Sequence, residues 1–263
     1  MKLVTLLTDF GLQDGFVGVM KGIIYTICPE AQIVDITHAV PPQDILAGAL
    51  VLERSLPYFP SGSVHLAVVD PGVGTERRPM AARIGDQFVV GPDNGLFTLL
   101  YLQAERLGQP VHAVELDQPR YWLSQVSFVF HGRDIFAPVA AHLASGVDLG
   151  DLGSPLSDPL RLEMPQPQRL KDGWRCQVMA VDYFGTLQLN LTRSDLGEAQ
   201  IKQVSLAGEK IDGLCHAFGD RPPGSLMALM DSSDHLSIAV VNGSAAARLK
   251  AVPGLEVFVT LLS

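Results

Sequence analysis

Three apolar runs in this chain each stop at an aspartate beside glycine, and these carboxylates are the residues best suited to chemistry. Val68-Val69-Asp70-Pro71-Gly72-Val73-Gly74-Thr75-Glu76-Arg77-Arg78 carries a carboxylate, two glycines and, seven residues after the Asp, an arginine. Lys2 to Leu7 runs into Thr8-Asp9-Phe10-Gly11, and Phe88 to Val90 runs into Gly91-Pro92-Asp93-Asn94-Gly95. Gly72 and Gly74 allow positive φ and close approach to the main chain, so a small ligand could lie against that turn. In open α/β sheets ligands bind beyond the carboxyl ends of the strands, which would put all three carboxylates on one rim. An Asp after a strand also caps helices and closes turns, and these residues alone leave both readings open.

Phe128-Val129-Phe130-His131-Gly132-Arg133-Asp134 sets a single histidine between an aromatic run and the start of a helix. Combined with Asp70 and Arg77 it would make a polar relay. The carboxylate orients and polarises an imidazole or a water, while the guanidinium keeps the carboxylate ionised and stabilises a developing hydroxide. Standing alone, such a histidine can simply bond a carbonyl. Asp182-Tyr183-Phe184-Gly185-Thr186 offers a carboxylate for an ammonium and an aromatic for a planar base, or else an ordinary β-turn. Asp231-Ser232-Ser233 and Asn242-Gly243-Ser244 are further polar turns.

The elements that must position these groups follow from hydrophobic period. Up to residue 146 strand-like and helix-like patterns alternate. Phe16, Met20, Ile23, Ile24 and Ile27 fall at helical spacing before Pro29, Ile33 to Ile36 and Val64 to Val69 read as strands, and Asp44 to Leu56 reads as a helix. Ala81 to Ile84 and Gln87 to Val90 flank Gly85-Asp86 as a hairpin, and Asp134 to Ser145 predicts a helix capped by Gly146. This alternation predicts an α/β domain over residues 1–165 with a largely parallel sheet covered on both faces. Pro155, Pro159, Pro165 and Pro167 mark a linker. Cys176 to Val181, Leu226 to Met230, Leu236 to Val241 and Leu255 to Leu262 then predict a smaller all-β barrel domain over residues 166–263.

Composition narrows the class. With 263 residues, 47% of them hydrophobic and 18% charged, the chain has material for a substantial core and reads as globular. A net charge of −9 with no basic run longer than Arg77-Arg78 argues against a nucleic-acid partner and suits a small cationic or zwitterionic ligand. Cys28, Cys176 and Cys215 are odd in number and widely spaced, which predicts neither a disulfide framework nor a zinc site and fits a reducing cytoplasm. The first apolar run, broken by Asp9, is too short for a signal-peptide core, and no uncharged run is long enough to span a bilayer.

Taken together, Thr8-Asp9-Phe10-Gly11, Asp70-Pro71-Gly72-Val73-Gly74, Pro92-Asp93-Asn94-Gly95, Phe130-His131-Gly132-Arg133-Asp134, Asp182 with Phe184-Gly185, and Ser237-Ile238-Ala239-Val240 resemble one family. It is the S-adenosyl-L-methionine hydroxide adenosyltransferase family, the hydrolase branch related to the fluorinating and chlorinating adenosyltransferases. The resemblance implies hydrolysis of S-adenosyl-L-methionine to adenosine and L-methionine without a metal or organic cofactor. It also implies a homotrimer, with sites between the α/β domain of one subunit and the barrel of the next. By this resemblance Asp70, Arg77 and His131 activate water, Asp9 holds the ribose hydroxyls, and Asp182 binds the methionine ammonium. Phe184 contacts the nucleoside, Ser232 holds the methionine carboxylate, and Asn242 counts among the substrate-binding residues.

The chain also departs from the family pattern. Thr186 stands where relatives carry an adenine-contacting Asn, and Ser233 where the halogenating enzymes carry an Arg. Gly132 replaces the halide-binding Ser of the fluorinating enzyme, and Asp70 replaces its Tyr. Three alternatives follow: a halide-using adenosyltransferase, a nucleoside-binding sensor without turnover, and a metal-dependent hydrolase using Asp9, Asp70 and Asp93 as oxygen ligands.

Overall fold

The computed structural model describes residues 2–262, which divide into two compact units between Leu162 and Glu163. The first unit is built on a seven-stranded mixed sheet. Its strands are β1 (Leu3–Thr8), β2 (Gln32–Thr37), β3 (Val64–Val68), β4 (Pro79–Ile84), β5 (Gln87–Pro92), β6 (Val111–Glu115) and the short β7 (Ser154–Pro155), in the order β2-β1-β3-β5-β4-β6-β7. The half formed by β2, β1, β3 and β5 is parallel, and β4, β6 and β7 pair antiparallel. The chain leaves β1 toward β2 on one side and returns to β3 on the other. The strand order therefore reverses between β1 and β3, the kind of position beside which open α/β sheets bind their ligands.

Alternation along the central strands explains the layers. Val4 and Leu6 of β1, with Val64, Leu66 and Val68 of β3, pack under α1 (Phe16–Ile27) and α4 (Ala137–Ala144). Leu7, Ala67 and Val69 point to the other face and meet α2 (Ile45–Ser55) and α3 (Thr98–Leu107) through Leu52, Leu100 and Tyr101. Two polar residues share that second face. Thr5 and His65 are paired in register across β1 and β3 with Thr5 Oγ1 2.8 Å from His65 Nδ1, and both are fully buried.

The helix expected from Asp134 to Ser145 begins instead with a π-helical turn, Gly132–Phe136, before α4. Pro138 is the physical reason. It has no N–H to give to the Asp134 carbonyl four residues back, so the ladder slips: Ala137 N–H bonds Gly132 O, and Asp134 O accepts from Leu123 N–H at 2.9 Å. The proline-rich stretch is irregular, as a linker should be, but as far as Leu162 it is strapped down. Leu160 N–H donates to Asp93, Leu162 N–H donates to Thr98 Oγ1, and Asp158 pairs with Arg78.

The second unit contains β8 (Gln168–Leu170), β9 (Gly173–Val181), β10 (Leu187–Thr192), β11 (Ile201–Leu206), β12 (Glu209–Asp212), β13 (Leu226–Met230), β14 (His235–Val240) and β15 (Glu256–Leu261). All named pairings are antiparallel, in the order β12-β11-β15-β9-β10-β14-β13 with β8 beside β9. The end strands β12 and β13 lie against each other, so the sheet curls into a nearly closed barrel. Leu187, Leu189 and Leu191 of β10 point into its core with Ile238 and Val257. Among the described residues no helix is long and apolar enough to cross a membrane.

Burial pushes the His65 pKa down from 6.5 to about 4, with Gln87 opposing weakly. The unfolded chain takes up this proton near 6.5 and the folded chain only near 4. The stability His65 permits is therefore complete above pH 6.5 and is lost between 6.5 and 4, by on the order of 3 kcal/mol. Urea unfolding across this window should show a flatter pH dependence for His65→Gln than for wild type. Identical pH dependence in the two proteins would contradict the assignment.

Candidate active site

At the carboxyl end of β3 the chain leaves the sheet through Asp70 and folds back so that Arg77 grips it. Arg77 Nε donates to Asp70 Oδ1 at 3.1 Å and Nη2 donates to Oδ2 at 2.5 Å, a bidentate pair whose side chains are only 4% and 6% exposed. The same Nη2 lies 3.1 Å from His131 Nδ1. A guanidinium has only donors, so Nδ1 is the acceptor and the imidazole is neutral with its proton on Nε2. Burial and the Arg77 charge hold the His131 pKa below 6.5, against the opposing pull of Asp70 and Asp134. The Arg77 guanidinium also sits 5.3 Å from the centre of the Phe136 ring. Asp70 and His131 are thus not directly bonded: Arg77 joins them.

Local structure explains how residues this far apart in sequence meet. Of the two glycines in the turn, only Gly74 has positive φ, at +76°, and a Cβ there would lie 2.1 Å from the Phe128 carbonyl oxygen. At Gly74 the close approach that the turn allows is taken by the protein's own 123–130 strap, while Gly72 keeps an ordinary φ and is not needed for it. That strap is fastened by buried Asp134, which accepts from Ser127 N–H and from Arg133. Phe10, Phe16 and Phe130 form an edge-to-face cluster with centroids 5.3–6.1 Å apart, tying the turn after β1 to the residue preceding His131.

Asp9 follows β1 as Asp70 follows β3, so the two carboxylates flank the strand-order reversal. Asp9 Oδ2 accepts from Gln43 N–H at 2.8 Å. Its turn is held from behind by His38, whose Nδ1 is 2.8 Å from Thr8 Oγ1 and whose carbonyl accepts from Gly11 N–H. Asp93 does not join this rim. It is buried, with one oxygen taken by Leu160 N–H and the other by Arg78, while neighbouring Asn94 donates to Val69 O and steadies the end of β3. Among the described residues no three His, Cys, Asp or Glu side chains converge as a metal-ligand set.

In the barrel unit Asp182, Phe184, Ser232 and Asn242 all line one pocket of about 790 Å³. Asp182 Oδ1 accepts from Phe184 N–H and Thr186 N–H, so this oxygen builds the turn while Oδ2 has no hydrogen-bond partner among the described residues. Gly185 has φ +82°, and a Cβ there would meet Ser244 Oγ at 2.0 Å, which brings the 182–186 and 242–246 turns together. Phe184 is 75% exposed. Asp231, a residue the sequence offered only as part of a polar turn, lines the same pocket with Ser237.

The family model described as the SAM hydroxide adenosyltransferase N-terminal domain matches residues 4–153, and that of the C-terminal domain matches residues 176–258. The chain belongs to the SAM hydroxide adenosyltransferase family. A Salinispora arenicola relative named (R)-S-adenosyl-L-methionine hydrolase is 43% identical, over 98% of this chain and 97% of its own. A fluorinase from an Actinoplanes species is more distant, 28% identical over 81% of this chain and 79% of its own. The crystal structure of an uncharacterized conserved protein from Thermotoga maritima superposes with a TM-score of 0.88 at 36% identity, covering 98% of this chain and 99% of that one.

In this SAM hydroxide adenosyltransferase family member the structure brings Asp70, Arg77 and His131 into contact and gathers the four barrel residues into one pocket. The asymmetry between the two turn glycines is open to test. Gly74→Ala, strained and clashing with backbone, should destabilise the chain by about 2 kcal/mol or more. Gly72→Ala, whose Cβ would find its nearest atom at 3.5 Å, should change stability by less than about 0.5 kcal/mol. Equal losses in thermal or urea unfolding would contradict the strap packing.

Proposed function

We propose that the chain hydrolyses (R)-S-adenosyl-L-methionine to adenosine and L-methionine, and that Asp70, Arg77 and His131 activate the water. The observation that carries the mechanism is the nearly buried Asp70–Arg77 pair with half-buried His131 on it, beside the strand-order reversal. Full-length relatives named for this hydrolysis, such as the Salinispora protein, support the substrate and its sulfonium configuration.

Water attacks C5′ in line with the carbon–sulfur bond. The bond's electron pair passes to sulfur, and methionine departs as a neutral thioether, so the leaving group needs no proton. The nucleophile alone needs help, and its proton passes to the Asp70/His131 pair that Arg77 bridges. Arg77 holds the Asp70 carboxylate in a bidentate pair and offers positive charge to the incipient hydroxide. Asp9 receives the ribose hydroxyls, Phe184 the nucleoside, Asp182 Oδ2 the ammonium, Ser232 the carboxylate, and Asn242 completes the binding set. The α/β rim and the barrel pocket serve together when supplied by neighbouring subunits of a homotrimer. The three cysteines are free thiols, which fits residence in the cytoplasm.

The experiment is chromatography of both sulfonium epimers incubated with the protein in EDTA, with and without chloride. Adenosine and methionine should appear in equal amounts from the (R) epimer regardless of halide. A 5′-halogenated nucleoside, or no product, would contradict the reading. Asp70→Ala and His131→Ala should each lower kcat by about 10²–10⁴-fold while adenosine binding changes little. Because the reactive form has neutral His131, kcat/KM should fall as pH drops through its lowered pKa, on the acid side of 6.5. An acid limb centred above 6.5, or His131→Ala at full rate, would remove His131 from the mechanism, and Asp70→Ala at full rate would remove Asp70.

A further inference from the structure

The barrel pocket holds two carboxylates that differ in one respect. Asp182 keeps an oxygen without a hydrogen-bond partner, whereas Asp231 has none to spare. Asp231 Oδ1 accepts from Ser233 N–H at 2.8 Å and His235 N–H at 3.0 Å, and Oδ2 accepts from Ser237 Oγ at 2.9 Å and Gln188 Nε2 at 3.0 Å. Four donors saturate a carboxylate. All four are neutral, and no Lys, Arg or His among the described residues forms an ion pair with Asp231. These bonds hold its pKa below the usual value despite burial, so the charge is present at neutral pH.

The pocket lining contains Asp182 and Asp231 but no Lys, Arg or His. Gln188 adds to the imbalance. It is 5% exposed, and with Nε2 spent on Asp231 its Oε1 is buried without a partner. Because Leu187 and Leu189 face the barrel core, Gln188 shares the opposite face of β10 with pocket-lining Thr186, and its cross-strand neighbour is pocket-lining Ser237. A partly buried anion beside an unpaired amide oxygen is a region short of positive charge, and buried charges are ordinarily compensated.

An ammonium is recognised by hydrogen bonds, which Asp182 Oδ2 can still accept and Asp231 cannot. A sulfonium has no N–H or O–H and is sensed through the electric field alone, for which a saturated, immobile carboxylate suffices. Resting on the substrate reading above, we infer that Asp231 recognises the positive charge on the substrate's sulfur and sets the preference for a sulfonium over the uncharged thioether. The same field weakens its hold once the sulfur is neutral, which favours release of methionine.

The test uses two ligands that resist hydrolysis: S-adenosyl-L-homocysteine, the neutral thioether, and the aza analogue with a protonated N-methyl nitrogen in place of sulfur, titrated calorimetrically at about pH 6. Wild type should bind the cationic analogue roughly tenfold more tightly, the size of one charge interaction in partly wet protein. Asp231→Asn should bring the ratio to within about twofold. The Asn oxygen can still accept from Ser233 and His235, and its amide can donate to Ser237 and to a turned-over Gln188. Ser237→Ala, which removes one bond and keeps the charge, should retain the wild-type ratio. If Asp231→Asn fails to fold, Gln188→Lys places a cation on the same oxygen and should also abolish the preference. An unchanged ratio in the neutralised variants, or no preference in a wild type that hydrolyses the sulfonium, overturns this inference and leaves the reaction standing. A wild type that neither binds the cationic analogue nor hydrolyses S-adenosyl-L-methionine overturns both.

Discussion

One guanidinium organises the candidate site of the α/β unit. Arg77 spends three of its N–H bonds on two partners, two on Asp70 and one on His131. Around it the α/β unit is arranged to bring the end of β3 and the start of a helix to the same point. Gly74 lets the turn bearing Arg77 run against the 123–130 strap, Asp134 fastens that strap, and Pro138 forces the π-helical turn that begins just after His131. Removing either partner of an ion pair this desolvated leaves a charge uncompensated, commonly at about 3–5 kcal/mol. The same bonding that gives the site its chemistry therefore ties it to the stability of the fold.

The barrel unit follows a different logic. Its core is an alternating β pattern with leucines inward, and the pocket is lined mainly by the turns carrying Asp182, Ser232 and Asn242, with Ser237 of β14. One oxygen of Asp182 builds its turn while the other has no partner among the described residues, whereas both oxygens of Asp231 are fully bonded. Such pre-bonded acids reorganise little when a cation arrives, which makes their field effective.

Much of the α/β unit was legible because strands and helices there have strong periods and firm stops. Phe16–Ile27 and the hairpin around Gly85-Asp86 follow directly from spacing and turn chemistry. Less legible were elements whose pattern is smeared by burial on several sides. In Thr98–Leu107 the consecutive Leu99, Leu100 and Tyr101 are all buried, so no single helical stripe stands out. The alternation of Leu187, Leu189 and Leu191 was there to read as a strand. Asp93 illustrates the limit of motif reading: its glycine-flanked setting matches Asp9 and Asp70, and only the return of residues 158–162 shows that it is a structural anchor. Asp231 illustrates the converse, since its four donors come from positions 188 to 237 and converge only in the folded barrel. Pro138 within a helical pattern was the available signal for the irregular turn beside His131.

The central claim is that an activated water attacks C5′ of the sulfonium substrate. Its most direct test is turnover in ¹⁸O-labelled water, with mass spectrometry of both products and location of the label. The account predicts one heavy oxygen at the 5′-hydroxyl of adenosine and none in methionine. Label in an amino-acid fragment, or release of a 5′-thionucleoside, would mean that a different carbon–sulfur bond breaks and would contradict it.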